Sequence, residues 1–525
     1  MAKLRIGILL PDESLPAWAA RLLDGTRAQP QVEVVSALVL PQKKSSSRLF
    51  DFYFRLDRRA FHPGPSPWAP VEAGRVLQDT KILHGTLDEH RMQLQSLRLD
   101  VLANLVLDEI PDQALDLARL GVWTLHDGRS RFVVGAQPGW RELLQNDSLT
   151  TCEIEILRRG QPAQVILQAV MATDPLSVAR NQMHLLWRAA ALFPRALMQL
   201  AQRGEAAFFA NAQPASPSAP ASLPNLLQVA ALGSKQAFRK VAREIRIRFT
   251  ADQWMLMLAP RSAGAPLTWD GFEPIIPPPD RSWADPFLVE RAGQRYVFIE
   301  EYPFATRRGR IACLTLDAAG KVVSNQTLLE KPYHLSYPFV FEHDGEWYML
   351  PESSGNRTVD LYRCTRFPDQ WVFVKTLLRD VRALDATLFE HEGRWWLFAN
   401  ITEDEGVTTS TWDSLYLFHA EDPLSEKWIR HPLNPVVTDV RSARPAGRIF
   451  CRDGKLFRPS QDSSRRYGYG LRLNRILTLS TTEYAETCEE TLLPPRGRNI
   501  LATHTLNFAG DWTIIDVQSR RSKIG

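Results

Sequence analysis

The stretch WADPFLVERAGQRYVFIEE, residues 283–301, joins an apolar strand to a second one through a glycine-centred turn and carries acids near both open ends. Residues 336–353, SYPFVFEHDGEWYMLPES, repeat the arrangement, and residues 384–400, LDATLFEHEGRWWLFAN, repeat it again. Weaker copies follow at 444–462, RPAGRIFCRDGKLFRPSQD, and at 504–518, HTLNFAGDWTIIDVQ. Aligned on their turn glycines, Gly293, Gly345, Gly393, Gly454 and Gly510, the copies lie 52, 48, 61 and 56 residues apart. That interval suits a four-stranded propeller blade. Five copies predict a five-bladed β-propeller over residues 250–525. The strand QWMLMLAP, residues 253–260, precedes the first copy and is expected to complete the last blade.

In each copy two antiparallel strands meet at a tight turn, so the start of the inner strand and the end of its partner share one edge. On this register the inner strands begin near Asp285, Tyr337, Asp385, Ala446 and His504, and their partners end near Glu300, Glu352, Asn400, Gln461 and Asp516. One mouth of the ring is therefore expected to collect Asp285, Glu300, Glu352, Asp385 and His504, with Arg444, Arg458 and Gln461 from the fourth blade. Like charges crowded in a desolvated pocket separate in pKa, as acid and base roles at a glycosidic bond require. Asp285, Glu352 and Asp385 are the candidate catalytic residues. Glu300, Tyr337, Asn400, Arg444, Arg458, Gln461 and His504 are candidate substrate contacts. Trp283, Tyr302, Tyr337 and Trp412 are expected to stack on sugar faces, and Glu301 and Asp516 to be solvated.

A chain of 525 residues exceeds what one core usually serves, so at least two domains are expected. A net charge of +4, spread rather than massed, does not point to nucleic acid. The five cysteines contain no CxxC pair, so neither zinc nor a redox dithiol is indicated, and no metal ligand set is expected. The N-terminal apolar run ends at Pro11, Asp12 and Glu13 and reads as a first strand, not an export signal. With no stretch of 18 apolar residues, a cytoplasmic protein is expected.

Residues 1–170 alternate strand signals (LRIGILL, VEVVSALVL, LDVLANLVL, GVWTLH, CEIEIL) with an amphipathic stretch around Trp18 to Leu23, the pattern of an α/β domain with a mostly parallel sheet. Residues 171–210 read as a helical extension interrupted at Pro194. Residues 211–225, NAQPASPSAPASLPN, read as the domain linker, and 226–249 as a connecting helix.

WADP opening the first blade, PES ending the second hairpin and LDAT opening the third resemble the five-bladed propellers of arabinanase and β-xylosidase type glycosidases. They are closer still to the N-terminal domain of glucosamine inositolphosphorylceramide transferases, a propeller also found in bacterial proteins of surface glycan loci. The glycosidase resemblance implies that Asp285 is the general base. Tyr337 stands where the second blade of those enzymes opens with an acid, which leaves Asp385 and Glu352 as substitutes for their general acid and pKa-tuning carboxylate. GVWTLHDGRSRFVVGAQPGW, residues 121–140, together with LTTCEIEIL, resembles the methionyl-tRNA formyltransferase fold. That family uses Asn, His and Asp; here Thr124 stands for the Asn, His126 remains and the Asp position falls near Pro162. The resemblance implies a formyltransferase fold that does not formylate, with Thr124 and His126 as its remnant site.

Three functions are compatible with these residues. The first is an enzyme of surface glycan or glycolipid biosynthesis working at the propeller mouth on a carbohydrate or glycolipid, with a sugar nucleotide as a possible substrate and no certain cofactor. The second is a non-catalytic glycan or sugar-nucleotide binding module. The third is an N-formyltransferase acting on an amino sugar.

Overall fold

The computed structural model describes residues 3–40, 47–61, 64–135, 137–217, 222–402 and 412–523. The chain divides into two compact units, with the boundary between Ala242 and Arg243.

The first unit is built on one mixed sheet. Strands Lys81–His84, Val32–Val39, Leu4–Leu10, Val101–Asn104 and Val122–His126 lie side by side in that order and run parallel. Leu149–Leu157 and Gln164–Ala172 extend the sheet antiparallel beyond Val122–His126. Both faces are covered: Ile6, Ile8 and Leu10 enter one buried cluster while Leu9 enters another. This is why the strands read as continuous apolar runs rather than alternating ones. The expected helix at Trp18–Leu23 is Ala17–Arg27.

Two expectations for this unit change. Helix Val178–Phe209 does not stop at Pro194 but continues through it, and its one non-helical residue is Gly204 at φ 75°. Pro194 is buried against helix Ala17–Arg27, where a Cβ on Gly25 would lie 2.9 Å from the proline ring. The Pro/Ala/Ser stretch expected to link domains is bound to this unit at both described ends. Gln213–Pro214 pairs with Gln164 and Val165, and Ser222 accepts a hydrogen bond from Arg141. The boundary falls instead inside helix Leu226–Phe249. Residues 218–221 of that stretch lie outside the described residues.

The second unit is a five-bladed propeller. Blade 1 is Arg281–Arg291, Gln294–Pro303, Arg310–Leu316 and Val322–Leu329; blade 2 is Ser336–His343, Glu346–Ser353, Thr358–Arg366 and Gln370–Arg379. Blade 3 is Ala383–His391, Arg394–Ile401, Leu415–Ala420 and Ile429–Arg430. Blade 4 contains Arg444–Pro445, Lys455–Asp462, Gly470–Leu479 and Tyr484–Leu492. Blade 5 joins the two ends of the propeller: Thr250–Ala259 pairs antiparallel with Trp512–Ser522, flanked by Glu273–Ile275 and Leu506–Ala509. The ring is thus closed by hydrogen bonds between its first and last strands, as the sequence predicts.

The turn glycines are explained by handedness. In blades 1 to 4 each is the second residue of a two-residue hairpin loop, preceded by a residue also at positive φ (Ala292, Asp344, Glu392, Asp453). Two positive φ values define the turn whose twist matches that of paired strands.

Leu256 sits fully buried in the closing strand, in a cluster with Leu288, Val297 and Ile514. Leu256→Ala is expected to destabilise the propeller by about 2–5 kcal/mol, measured by urea unfolding. A loss indistinguishable from zero would mean that closure does not hold the ring.

Candidate active site at the inner ends of the blades

The inner strands of blades 1, 2 and 3 share a feature that alternation does not reveal. Ala284 pairs with Glu300 and Phe287 with Phe298, so Asp285 and Pro286 face one residue of the partner strand. Tyr337 and Pro338 do the same in blade 2, and Asp385 and Ala386 in blade 3. The first residue of each bulge is left-handed: φ is 50° at Asp285, 42° at Tyr337 and 52° at Asp385. Such a bulge swings one amide out of the ladder and re-aims one side chain.

Each freed amide is taken by a carboxylate of the preceding blade. Asp285 N–H donates to Asp516 Oδ2 at 3.0 Å, Tyr337 N–H to Asp285 Oδ2 at 3.1 Å, and Asp385 N–H to Glu352 Oε2 at 3.3 Å. The Tyr337 hydroxyl contacts Thr387 Oγ1 at 2.9 Å in blade 3 and accepts the Gly447 N–H at 2.7 Å from blade 4. Gly447 has to be glycine: its φ is 134°, and a Cβ there would lie 1.9 Å from the Leu506 carbonyl oxygen. Further along blade 4, Arg448 donates to the carbonyls of Leu288 and Val340, so blades 1, 2 and 4 also meet through one guanidinium. Burial lowers its pKa to about 10.

The acids form two groups. In the first, His504 Nδ1 lies 2.5 Å from Asp516 Oδ2 and 3.8 Å from Asp285 Oδ1, and the Thr505 hydroxyl donates to Asp285 Oδ1 at 2.8 Å. Asp516 also accepts the backbone N–H groups of His504 and Thr505, and the Trp254 ring stacks on His504 at 4.0 Å. In the second, Arg444 Nε donates to Asp385 Oδ2 at 2.5 Å and its Nη2 lies 3.6 Å from Glu352 Oε2. Gln461 Nε2 donates to Asp385 Oδ2 at 2.7 Å, and Ser354 Oγ to Glu352 Oε1 at 2.8 Å. The Tyr467 ring lies between the groups, 4.9 Å from the Arg444 guanidinium and 5.2 Å from the His504 ring.

Asp285, Glu352 and Asp385 are only 3%, 7% and 1% exposed. Desolvation, reinforced by neighbouring acids, raises Asp285 to about 7 even though His504 opposes it. Desolvation and then the charge of Asp385 raise Glu352 to about 8, against Arg444. Burial alone would lower His504, but Asp516 and Asp285 raise it to about 9. Asp285, His504 and Asp516 also form a three-residue cluster whose donor atoms lie within 4.8 Å of one another. At 2.5 Å the His504 to Asp516 contact is a close charge-assisted pair, tighter than two ligands on one metal ion would be.

Not every expected residue reaches this end. Glu300 does reach it, paired with His334 at 3.2 Å and among the charges that raise Asp285. Trp283 is buried in the core with its indole N–H on Glu301, and Tyr337 is buried with its hydroxyl engaged, so neither presents a ring face to a sugar. Arg458 turns away to Glu486 at 2.8 and 2.6 Å. Glu301 and Asp516 are buried rather than solvated: Glu301 is clamped by Arg281, Arg310 and Asn325, and Asp516 by His504. Tyr302 and Trp412 remain half-buried, the latter 5.7 Å from Tyr467. Asn400 donates to the Ser414 carbonyl at 3.0 Å, while Asn400 Oδ1 and Gln461 Oε1 are buried acceptors with no partner among the described residues. Trp254, Tyr467 and Asp516 join this cluster and were missed as candidates. Only the strand-closing role of 253–260 pointed toward Trp254, and Tyr467 lies outside every hairpin copy.

In the first unit, Thr124 Oγ1 accepts from Asn104 Nδ2 at 3.2 Å, and buried His126 Nδ1 accepts the Gly128 N–H at 3.0 Å beside Glu153. Pro162 is exposed in the hairpin between the two antiparallel strands. A cavity of 530 Å³ lies at the carboxyl ends of the parallel strands, walled by Trp18, Trp68, Trp140, Asp12, Asp127 and Arg141, but Thr124 and His126 do not line it.

Comparison with known proteins places the second unit. Residues 277–501 match the N-terminal family of glucosamine inositolphosphorylceramide transferase 1. Proteins of that name from Oryza sativa subsp. japonica and Arabidopsis thaliana are each 35% identical over 211 residues, 40% of this chain. The match spans 28% and 27% of their lengths. Among solved structures, an α-L-arabinofuranosidase from Lactobacillus brevis is similar over 45% of this chain and 81% of its own, at 16% identity and a TM-score of 0.34. The family match includes Asp285, Glu352, Asp385, Arg444 and Gln461 and ends before His504 and Asp516.

Two outcomes follow from this geometry. Tyr337→Phe strands the Gly447 N–H and is expected to cost about 1–3 kcal/mol in urea unfolding. Asp285 and Glu352 hold protons in the folded state to about pH 7 and 8 and His504 to about 9, above their ordinary values of 3.8, 4.5 and 6.5. Between these limits the folded chain binds more protons than the unfolded one, so stability is expected to fall as pH rises from about 4 to 9. Unfolding across that range, with His504→Gln flattening the upper part, checks the sign.

Proposed function

We propose that this end of the propeller is a carbohydrate site serving glycan or glycolipid biosynthesis, by glycosyl transfer or glycoside processing. One observation carries the reading: Glu352 and Asp385, from adjacent blades, face a single guanidinium, and the charge of Asp385 helps raise Glu352 to about 8. A carboxyl held protonated at neutral pH suits proton donation to a departing glycosidic oxygen. Glu352 is then the general acid and Asp385 the residue that tunes it. Asp285, raised to about 7, takes the base role on a water or acceptor hydroxyl. Asn400 Oδ1 and Gln461 Oε1 are acceptors for sugar hydroxyls. The match over residues 277–501 to a family named for a glycolipid-modifying transferase supports the substrate class, and a sugar nucleotide is the proposed donor.

A second reading, a non-catalytic glycan or sugar-nucleotide binding module, is favoured by the near-complete burial of the three acids and their bonds to backbone amides. For the first unit we propose a formyltransferase-like fold that does not transfer formyl groups, because Thr124 and His126 are tied to Asn104 and Gly128. An N-formyltransferase acting on an amino sugar ranks last for the same reason. A cytoplasmic location belongs to this proposal and is supported by five unpaired cysteines.

The test is a mass-spectrometric screen of wild type, Asp285→Asn and Glu352→Gln against sugar nucleotides, aryl glycosides and amino-sugar acceptors. Turnover by wild type that falls at least about a hundredfold in both variants is the expected result. Undiminished turnover in the variants would sink the catalytic assignment. Ligand retained by all three proteins without turnover would establish the binding module.

A further inference from the structure

The two strands that close the propeller carry more positive charge than they balance. Residues 245–255 and 517–523 hold Arg246, Arg248, Arg520, Arg521 and Lys523 against a single acid, Asp252. Where Thr250–Ala259 pairs with Trp512–Ser522, Asp252 lies directly across from Arg520 and Trp254 across from Gln518. Opposed residues, and residues two apart on a strand, share one face of a sheet. Asp252, Trp254, Gln518 and Arg520 therefore stand on the same face.

Blade 4 brings a second guanidinium to it. Arg466 Nη2 lies 3.3 Å from Asp252 Oδ2 and also donates to Gln518, while Arg520 Nε donates to Asp252 Oδ1 at 3.0 Å. One carboxylate is thus shared by two arginines. Among the described residues, Arg466 Nε and Nη1 and Arg520 Nη1 and Nη2 meet no acceptor, and both side chains stay partly open to solvent. Burial, with the like charges of Arg246 and Arg520 added, holds the Arg466 pKa below its ordinary value although Asp252 opposes the shift. The face adjoins the acid cluster: Trp254 stacks on His504 at 4.0 Å, and Tyr467, the residue after Arg466, has its ring 4.9 Å from the Arg444 guanidinium and 6.5 Å from Trp254.

We propose that Arg466 and Arg520, aided by Arg246, bind a phosphate or diphosphate group carried by the sugar substrate of the neighbouring acid cluster. Guanidinium forks match phosphate oxygens two at a time. Three arginines against one carboxylate leave an excess of two positive charges, and a phosphate monoester brings about two negative ones. The anion site stands on this face alone, whereas its link to a sugar rests on the carbohydrate reading of the acid cluster.

The experiment is calorimetry of the full chain with inorganic pyrophosphate at low and high salt. Pyrophosphate is expected to bind, and less tightly as salt screens the charges. Arg466→Gln and Arg520→Gln are each expected to weaken it at least about tenfold. Asp252→Asn keeps an acceptor for both arginines but removes the competing charge, and is expected to tighten binding at least about threefold, a gain that misfolding does not produce. Should Arg466→Gln not fold, Arg520→Gln and Asp252→Asn decide. Absence of pyrophosphate binding overturns the proposal, as does binding that ignores the arginine changes or weakens in Asp252→Asn. Glucose 1-phosphate is expected to bind at least about tenfold more tightly than glucose, an advantage lost in Arg520→Gln. Arginine-dependent pyrophosphate binding beside a glycan screen without any ligand would leave the anion site standing and remove the carbohydrate reading; sugar turnover without pyrophosphate binding would do the reverse. Uridine diphosphate binding more tightly than glycerol 3-phosphate assigns the phosphate to a nucleotide donor, and the opposite order assigns it to a lipid headgroup, both in keeping with the anion site.

Discussion

Everything at the inner end of the propeller depends on a backbone amide that points the wrong way. Left-handed conformations at Asp285, Tyr337 and Asp385 are each unfavourable by about 1–3 kcal/mol for residues that carry a Cβ. They persist because a carboxylate of the preceding blade accepts the amide that each bulge releases. The same bond ties one blade to the next. Tyr337 extends the stitch to blades 3 and 4, so a single residue of blade 2 is bonded to three other blades through its backbone amide and its hydroxyl.

This arrangement constrains any chemistry performed there. Asp285 and Glu352 are both fasteners and the groups with raised pKa, and Asp516 fastens Asp285 while pairing closely with His504. A carboxyl buried away from water beside another acid is poised to hold a proton, the property useful to an acid catalyst, while the amide it accepts pulls the other way. It is also a property that architecture alone can require. Structure and reactivity here compete for the same lone pairs, and substitutions that keep an acceptor, Asn or Gln, separate the two demands.

The first unit follows a different logic. Its sheet is covered on both faces, its buried polar pair Thr124 and His126 is engaged in local hydrogen bonds, and its cavity opens at the carboxyl ends of the parallel strands among tryptophans.

Much of this was legible in the residues. Hairpin periodicity, turn glycines and apolar runs are local signals, and they determined five blades, ring closure by 253–260, the α/β character of the first unit and the meeting of Asp285, Glu352 and Asp385 at one end. What escaped was set by neighbours distant in the chain. Alternation treats a strand as uniform and cannot register a bulge, so it did not reveal that Asp285 turns its amide to Asp516. Nor does it tell an acid at a solvated rim from one buried against a histidine, which is why Glu301 and Asp516 were placed in water. Trp254 and Tyr467 come from segments without the hairpin signature. Pro194 looked like a helix break because its missing N–H is a local property, while the packing that carries the helix through it is not. The sequence by itself determined the elements and their order, because these depend on contacts within a few residues. Only the tertiary structure decided which polar groups meet and how they share protons, because burial and charge proximity are made by the closure of the ring.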